Sequence, residues 1–346
     1  MGFAAKLSKA AALFMRGNFS AIQAKLAEAT GIESMIPPPY SMMIEPTNAC
    51  NLHCPTCPTG AGTMNRPRRM MTLEEFRRII DQVKEHVHFL YLWNFGEPFM
   101  NKDILEMIRY AVQAGMEVKI STNGEFFKSV DYCKEIVKTG LQHLIIALDG
   151  GDNETLRIFR RGSNFEKIIA GFHYMHQAKQ ELNSKLPKIE LQYIVMKHNE
   201  HQREHMQKLA KELHVDIFCE KTVGISANDP NFQQMAETYL PTDLSLSRYY
   251  KTADGKFHVK GRVPNRCHWL YTSMTINSDG SVVPCCYDRF SEHIMGNVFE
   301  DDVLTIWRSN KYQAFRRAIR KNRSKIPLCN ACYEGRYHIS RKRGVE

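Results

Sequence analysis

The chain has 346 residues, 43% of them hydrophobic and 24% charged, which is typical of a folded globular protein and excludes a disordered one. No apolar run approaches the ~20 residues of a membrane-spanning helix, so we expect a cytoplasmic protein whose ten cysteines serve metal or redox chemistry instead of disulfides. The net charge of +10 favours an acidic partner, such as a phosphorylated substrate or a membrane surface. We do not expect nucleic acid, because aromatic residues are not interleaved with the charges.

Residues 1–40 are predicted to form an N-terminal helical extension. Met15, Phe19, Ile22 and Leu26 recur at helical spacing, and Gly31 with the prolines after it ends the pattern. We interpret the helix as a cap packed on the main body. A helix that lies on a membrane surface is the alternative.

From residue 41 to residue 222 strands and helices alternate. This alternation predicts an α/β fold with a parallel sheet and right-handed crossovers. Functional residues are then expected at the carboxyl ends of the strands. The predicted strands are Met42–Glu45, Phe89–Trp93, Glu117–Ser121, His143–Leu148, Ile189–Met196 and Val215–Cys219, and the predicted helices are Leu73–Val87, Lys102–Ala114, Phe126–Lys138, Phe165–Ala178 and His201–Leu213.

The pattern changes after this region. Residues 223–266 are irregular and polar and are interpreted as a linker. Residues 267–346 are expected to form a small domain with a basic tail. Its hairpin is predicted to pair Ser273–Ile276 with Ser281–Val283 across an Asn-Ser-Asp-Gly turn, and a helix is predicted at Val303–Arg320.

Three cysteines stand close together in the loop after the first predicted strand. Cys50, Cys54 and Cys57 have the spacing C-x3-C-x2-C, and three such thiolates can each bind one iron of a [4Fe–4S] cluster. The remaining iron then has no protein ligand and is open to a small chelating molecule. A zinc site that includes His53 is the alternative, although zinc ligands usually occur as separated pairs.

With these cysteines after the first strand, residues 42–222 resemble the radical S-adenosyl-L-methionine (SAM) superfamily. The resemblance implies a partial (β/α)6 TIM-like barrel with a SAM-binding [4Fe–4S] cluster held by the three cysteines. It also implies reductive cleavage of SAM to a 5′-deoxyadenosyl radical that abstracts hydrogen atoms from unactivated carbon. The expected electron donor is of the flavodoxin or ferredoxin type.

Further strand-end motifs carry the resemblance and imply the SAM contacts. The segment after the second strand looks like the family's GEP motif, which offers backbone carbonyls to the SAM amino group. The segment after the third strand is similar to the family's ribose-side residues, and Ala147 stands where the family often has serine. A guanidinium suits the SAM carboxylate. The implied contacts are Asn94, Phe95, Gly96, Glu97, Pro98, Ser121, Asn123, Asp149 and Arg161.

The C-terminal cysteines have the layout C-x12-G-x4-C followed by C-x2-C, which resembles the SPASM/twitch extensions of the same superfamily. The resemblance implies one auxiliary [4Fe–4S] cluster held by Cys267, Cys285, Cys329 and Cys332. The adjacent Cys286 is the less favoured ligand because the glycine-to-cysteine spacing fits Cys285. A zinc ribbon with four cysteine ligands is the alternative.

The expected activity is oxidation of a small polar molecule, such as a sugar, an aminocyclitol or a phosphorylated precursor, because this cluster layout resembles that of an aminocyclitol dehydrogenase. A maturase that modifies a ribosomally made peptide is the second hypothesis, and a non-catalytic zinc or iron–sulfur scaffold is the third. Glu220, Lys221 and His198 are candidates for a general base, since substrate groups are expected at the late strand ends.

Overall fold

A computed structural model describes residues 19–332 and 340–345 of the chain. Strands β1 to β6 lie side by side in chain order, and each pair of neighbours is parallel. The predicted α/β organisation is therefore confirmed. The strands are β1 Ser41–Ile44, β2 Phe89–Tyr91, β3 Glu117–Thr122, β4 His143–Ala147, β5 Lys188–Val195 and β6 Ile217–Thr222.

Helices follow the strands and cover one face of the sheet. Their limits are set by capping side chains: helix α2 begins after Thr72, which forms a capping box with Glu75, and α4 begins after Ser129, later than its apolar pattern predicts. The short helix α5 escaped prediction. The helices are α1 (residues 19–30), α2 Leu73–Val83, α3 Ile104–Gln113, α4 Val130–Lys138, α5 Asn153–Phe159, α6 Phe165–Glu181 and α7 Arg203–Glu212.

The segment expected to be an irregular linker has its own folded structure. It contains helix α8 (Phe232–Tyr239) and the antiparallel strands β7 (Tyr249–Lys251) and β8 (Phe257–Val259). Their buried side chains join Phe159, Met196 and Val223 in a second apolar cluster, separate from the main core. The linker prediction was wrong because the segment is mostly polar and its helical spacing is confined to the two turns that carry Phe232, Ala236 and Tyr239.

The predicted C-terminal hairpin is confirmed, and it extends the barrel sheet. Strands β9 (Ser273–Ile276) and β10 (Ser281–Val283) are antiparallel, and β10 also pairs with β11 (Gly296–Asn297). Strand β9 runs parallel to β1 in a register that places Ser273 beside Ser41. The small domain is therefore joined to the barrel by backbone hydrogen bonds along the strand that precedes the first cysteine cluster.

The remaining helices of this domain are α9 Trp269–Thr272, α10 Val303–Trp307, α11 Asn310–Asn322 and α12 Pro327–Asn330. The single helix predicted at Val303–Arg320 is wrong: it is divided where Ser309 caps α11. One basic residue of α11 has a structural role. Arg316 is buried and lies over the Trp307 and Tyr312 rings, at 4.3 and 4.5 Å from their centroids.

The chain returns to the far edge of the barrel with strand β12 (Ser340–Gly344), which is antiparallel to β6. Lys342 thereby reaches Glu190 inside the sheet, at 2.6 Å between Nζ and Oε2. In the described ranges no helix has the length and hydrophobicity of a transmembrane span. The part of the predicted N-terminal helix before residue 19, with Met15, lies outside the described residues.

Candidate functional site

The carboxyl ends of the barrel strands surround a cavity of about 240 Å³. Every strand from β1 to β6 contributes to it, either directly or through the loop that follows, as parallel α/β folds favour. The loops after β1 and β2 form one wall, and β5 with the segment after β6 forms the other. The lining includes the thiol-bearing residues Cys50, Cys54 and Cys57.

These three cysteines are brought together by a compact loop. The Cys57 N–H donates to the Cys54 carbonyl at 3.2 Å, and the Leu52 N–H points at Cys50 Sγ at 3.4 Å. Burial raises the pKa of the Cys54 thiol to about 11, against the opposing effect of Arg160. Cysteine thiols become thiolates when iron binds them. Three thiols facing one cavity fit a cluster that keeps one iron open.

The segment after β2 approaches the cysteine loop very closely. Gly96 has a φ of +90°, and a Cβ there would lie 2.3 Å from the Thr47 carbonyl oxygen and 2.8 Å from that of Ala49. Only glycine fits this position. The next residue, Glu97, donates its N–H to the Ala49 carbonyl at 2.8 Å, so the two loops are joined through the backbone.

Asn94, Phe95, Gly96 and Glu97 line the cavity, whereas Pro98 begins a buried 3-10 turn behind it. The Glu97 carboxylate faces inward and accepts hydrogen bonds from Thr122 Oγ1 at 2.7 Å and from the Asn123 N–H at 2.8 Å. Burial raises the pKa of Glu97 to about 7, although these hydrogen bonds oppose the shift. Its side chain therefore fixes the β2 and β3 ends relative to each other.

Ser121 and Asn123 line the cavity at the end of β3, and Ala147 does so at the end of β4. Asp149 is fully buried and is not part of the lining. Its carboxylate accepts hydrogen bonds from the Ile194 N–H at 2.7 Å and from Arg160 Nε at 2.6 Å. Asp149 is thus placed to orient the Arg160 side chain.

Arg160, and not Arg161, lies in the cavity wall. Arg161 is exposed, and its carbonyl accepts a hydrogen bond from the His53 N–H at 2.9 Å. The two arginines are adjacent in sequence, so motif position alone could not separate them. The ion pair with the buried Asp149 decides which side chain faces inward.

The three candidate bases lie outside the cavity lining. Glu220 is ion-paired with Arg203 at 2.8 Å, and His198 packs edge-on against Tyr239 with ring centroids 6.4 Å apart. Lys221 donates from Nζ to Gln192 Oε1, and burial lowers the Lys221 pKa. Gln192 itself lines the cavity. Sequence reasoning missed it, although it pairs with Ala147 across β4 and β5.

The C-terminal cysteines form a second group. Burial raises the pKa of Cys285 well above its usual value, and the neighbouring thiols of Cys286, Cys267 and Cys332 raise it further. Burial also raises the pKa of Cys329 to about 12, while the Arg323 guanidinium lowers it. Cys267, Cys285, Cys329 and Cys332 are therefore close together, and none of them is in a disulfide.

An all-sulfur donor set of four neighbouring thiols, two buried and two partly buried, fits a fully ligated [4Fe–4S] cluster. Among residues 19–332 and 340–345, no three His, Cys, Asp or Glu side chains are grouped around a position for a single metal ion. A cubane cluster distributes its ligands over separate irons.

The two groups of cysteines are connected by a polar network. Glu45, at the end of β1, pairs with Arg66 at 2.7 Å and accepts hydrogen bonds from Ser278 Oγ at 3.0 Å and the Phe95 N–H at 3.2 Å. Arg289, four residues after Cys285, donates to the carbonyl of Thr56, which lies between Cys54 and Cys57, at 3.1 Å. The small domain is held directly on the cysteine loop.

Comparison with known proteins identifies both regions. Residues 44–210 match the radical SAM superfamily, and residues 267–333 match the SPASM iron-sulfur cluster-binding domain. An AdoMet-dependent heme synthase of Methanosarcina barkeri is 32% identical over 39% of this chain, which spans 38% of that protein. A PqqA peptide cyclase of Bradyrhizobium diazoefficiens is 22% identical over 90% of the chain and 81% of the cyclase.

The fold agrees with these matches. SuiB of Streptococcus suis, solved bound to S-adenosylmethionine, superposes with a TM-score of 0.62 at 18% identity, covering 86% of this chain and 72% of SuiB. The two domains imply a SAM-binding [4Fe–4S] cluster, an auxiliary cluster and SAM as cofactors. Residues 44–210 belong to the radical SAM superfamily, whose members are enzymes, and residues 267–333 form a C-terminal SPASM domain.

Proposed function

We propose that this protein oxidises a small polar molecule, such as a sugar, an aminocyclitol or a phosphorylated precursor, by radical SAM chemistry. The observation that carries the proposal is the direct attachment of the second cysteine group to the barrel through the β1–β9 pairing and the Glu45 and Arg289 contacts. A site for a redox group is thereby fixed on the barrel instead of on a mobile arm.

The chemistry explains why two sites are needed. Loaded with its cluster and SAM, the barrel site supplies a 5′-deoxyadenosyl radical that abstracts a hydrogen atom. Oxidation of a carbinol to a carbonyl must remove one more electron and one more proton. The second site, when loaded, would supply an acceptor for that electron, and the proton would pass to solvent water.

The chain's own residues position the reactants. In this proposal Arg160, oriented by Asp149, holds the SAM carboxylate through charge-assisted hydrogen bonds. The closely packed backbone around Gly96 and Glu97 receives the amino group, while Ser121 and Asn123 lie on the ribose side. Gln192, itself bonded to Lys221, offers an amide to the substrate from the opposite wall.

The shape of the cavity supports a small substrate. Phe159 and Val223 of the second apolar cluster form part of its lining, and the folded segment of residues 223–266 carries that cluster over the ends of β4 to β6. At about 240 Å³ the cavity is smaller than most ligand sites, which usually measure roughly 300–1,000 Å³, so it leaves little room for a large substrate beside SAM.

Peptide modification is the second candidate, because the similarity to PqqA peptide cyclase extends over 90% of this chain. Deuterium transfer separates the two candidates. Carbinol-deuterated inositols, aminocyclitols and sugar phosphates are incubated anaerobically with holoenzyme, SAM and dithionite. The proposal predicts deuterium in 5′-deoxyadenosine from one of these classes. If none of them transfers deuterium to 5′-deoxyadenosine but a deuterated peptide does, peptide modification is favoured instead.

The electron-acceptor role has its own test. A Cys267→Ala, Cys285→Ala double variant retains Cys50, Cys54 and Cys57, so it should still cleave SAM and accept deuterium from the substrate. It should form little oxidised product. If the variant binds substrate and oxidises it at the wild-type rate, the second site is structural and the proposed electron transfer is wrong.

A further inference from the structure

The four most exposed large apolar side chains of the described residues lie together. Phe19, Ile22 and Leu26 of α1 are 69%, 58% and 49% exposed, and Ile32 just after the helix is 48% exposed. The first three are spaced at i, i+3 and i+7, which places them on one face of the helix. We call these three residues the apolar stripe. A concentrated exposed apolar surface usually marks an interaction site.

The sequence pattern predicts that this stripe packs on the body, but the structure shows a different contact face. Ala24 and Ala27 are fully buried in the main core. Arg320 of α11 fixes the end of the helix by donating to the carbonyls of Glu28 and Thr30. The stripe cannot turn inward without breaking these contacts, so it remains on the outer face.

The sequence that precedes and contains the stripe is basic. From Met1 to Ala27 the sequence contains Lys6, Lys9, Arg16 and Lys25 and no acidic residue. The first acidic residue of the chain, Glu28, follows the stripe and is only partly exposed. One of its carboxylate oxygens lies 3.7 Å from Nδ1 of His268, so this acid is directed toward the small domain.

The helix packed beside α1 adds further positive charge. Lys321 of α11 is exposed and shares a helix face with Arg317 and Arg320. Arg317 pairs with Glu33, the next acidic residue after Glu28, and neutralises it. An apolar face flanked by lysine and arginine is typical of a helix that lies in the surface of a membrane.

We propose that α1 docks this protein on an anionic lipid bilayer, with the apolar stripe inserted at the boundary between headgroups and acyl chains and the flanking basic residues near the lipid phosphates. Charge selects this occupant over a second copy of the chain. Self-association through the stripe would bring two similarly basic surfaces together, and like charges across an interface are unfavourable. Anionic phosphates are complementary to the same surface.

Co-sedimentation of the full-length holoenzyme with lipid vesicles tests the proposal. Binding to vesicles of phosphatidylcholine with phosphatidylglycerol should exceed binding to phosphatidylcholine alone by about tenfold, and it should fall as salt is added. A Phe19→Ser, Ile22→Ser double variant should lose most of the binding. An Ile158→Ser variant is the matched control, because Ile158 is 43% exposed but lies on α5.

Iron content and SAM cleavage should be unchanged in both variants, since neither touches the cavity. If the double variant is unstable, a Lys25→Glu variant is used in its place. It should weaken binding to the anionic vesicles and leave binding to phosphatidylcholine vesicles unchanged. Equal sedimentation of the wild type and the double variant overturns the proposal. So does a wild type that binds neither kind of vesicle. A wild-type dimer that the double variant converts to monomer overturns it in favour of self-association.

Discussion

Replacing Gly96 with alanine should damage SAM binding far more than a comparable change at Gly62. Both glycines have positive φ, +90° and +72°, so an alanine at either site has a backbone cost of roughly 1–2 kcal/mol. Part of that cost is offset by about 0.4–1 kcal/mol from the stiffer unfolded chain. Gly62 has no atom within 4 Å of the added Cβ, so its variant should lose only about 1 kcal/mol of unfolding free energy.

At Gly96 the added Cβ would also meet two backbone carbonyl oxygens, at 2.3 and 2.8 Å. Backbone atoms cannot rotate away, so the loop after β2 must move by about 1 Å to restore an ordinary contact of ~3.5 Å. A displacement of that size in a positioning element costs on the order of 100-fold in rate. Isothermal titration of SAM and anaerobic 5′-deoxyadenosine formation would measure the loss. Equal SAM affinity and equal rates in the two variants would refute this reasoning.

Three further predictions concern other contacts. Arg160→Gln should weaken SAM binding about 10- to 100-fold by removing a charge-assisted hydrogen bond. The control Arg161→Gln should leave SAM binding unchanged. The reverse result would restore Arg161 as the SAM ligand. A Cys329→Ala, Cys332→Ala double variant should contain about four fewer iron atoms per chain and should still cleave SAM. Zinc instead of iron in this second site of the wild type would exclude a redox role for it. Burial raises the pKa of Glu190, but hydrogen bonds from His143 and Lys342 lower it to about 2. Its stabilisation of about 3 kcal/mol is therefore present above pH ~4.5 and lost as the pH falls toward 2. In denaturant unfolding, Glu190→Gln should lose less unfolding free energy on acidification than the wild type does. An equal loss in the two proteins would contradict the pairing of Glu190 with His143 and Lys342.

The sequence predicts the barrel strands well because they are short apolar runs separated by polar strand ends. Strands β4 and β5 are within one residue of their predicted limits. The cysteine groups could also be located, since their spacing constrains the loops that hold them. The C-terminal hairpin was predictable from its turn residues.

Long-range contacts were not predictable in the same way. The choice of Arg160 over Arg161 depends on the buried Asp149 carboxylate, which stands 11 residues earlier in the chain, beyond the reach of a local motif. The folded segment after β6 owes its core to Phe232, Tyr239 and Tyr249. The first two share a helical spacing, but it covers only two turns of a polar segment. The apolar stripe of α1 has the pattern of a packed helix, and only the buried Ala24 and Ala27 reveal that another face makes the contact.

The central claim is that Cys50, Cys54 and Cys57 hold the cluster that cleaves SAM. The most direct measurement is 5′-deoxyadenosine formation by anaerobic holoenzyme with dithionite and SAM, compared with a variant in which these three cysteines are alanine. The wild type should form 5′-deoxyadenosine, and the variant should form none while retaining about four irons in the second site. Cleavage of SAM by the triple variant would contradict the assignment of the site.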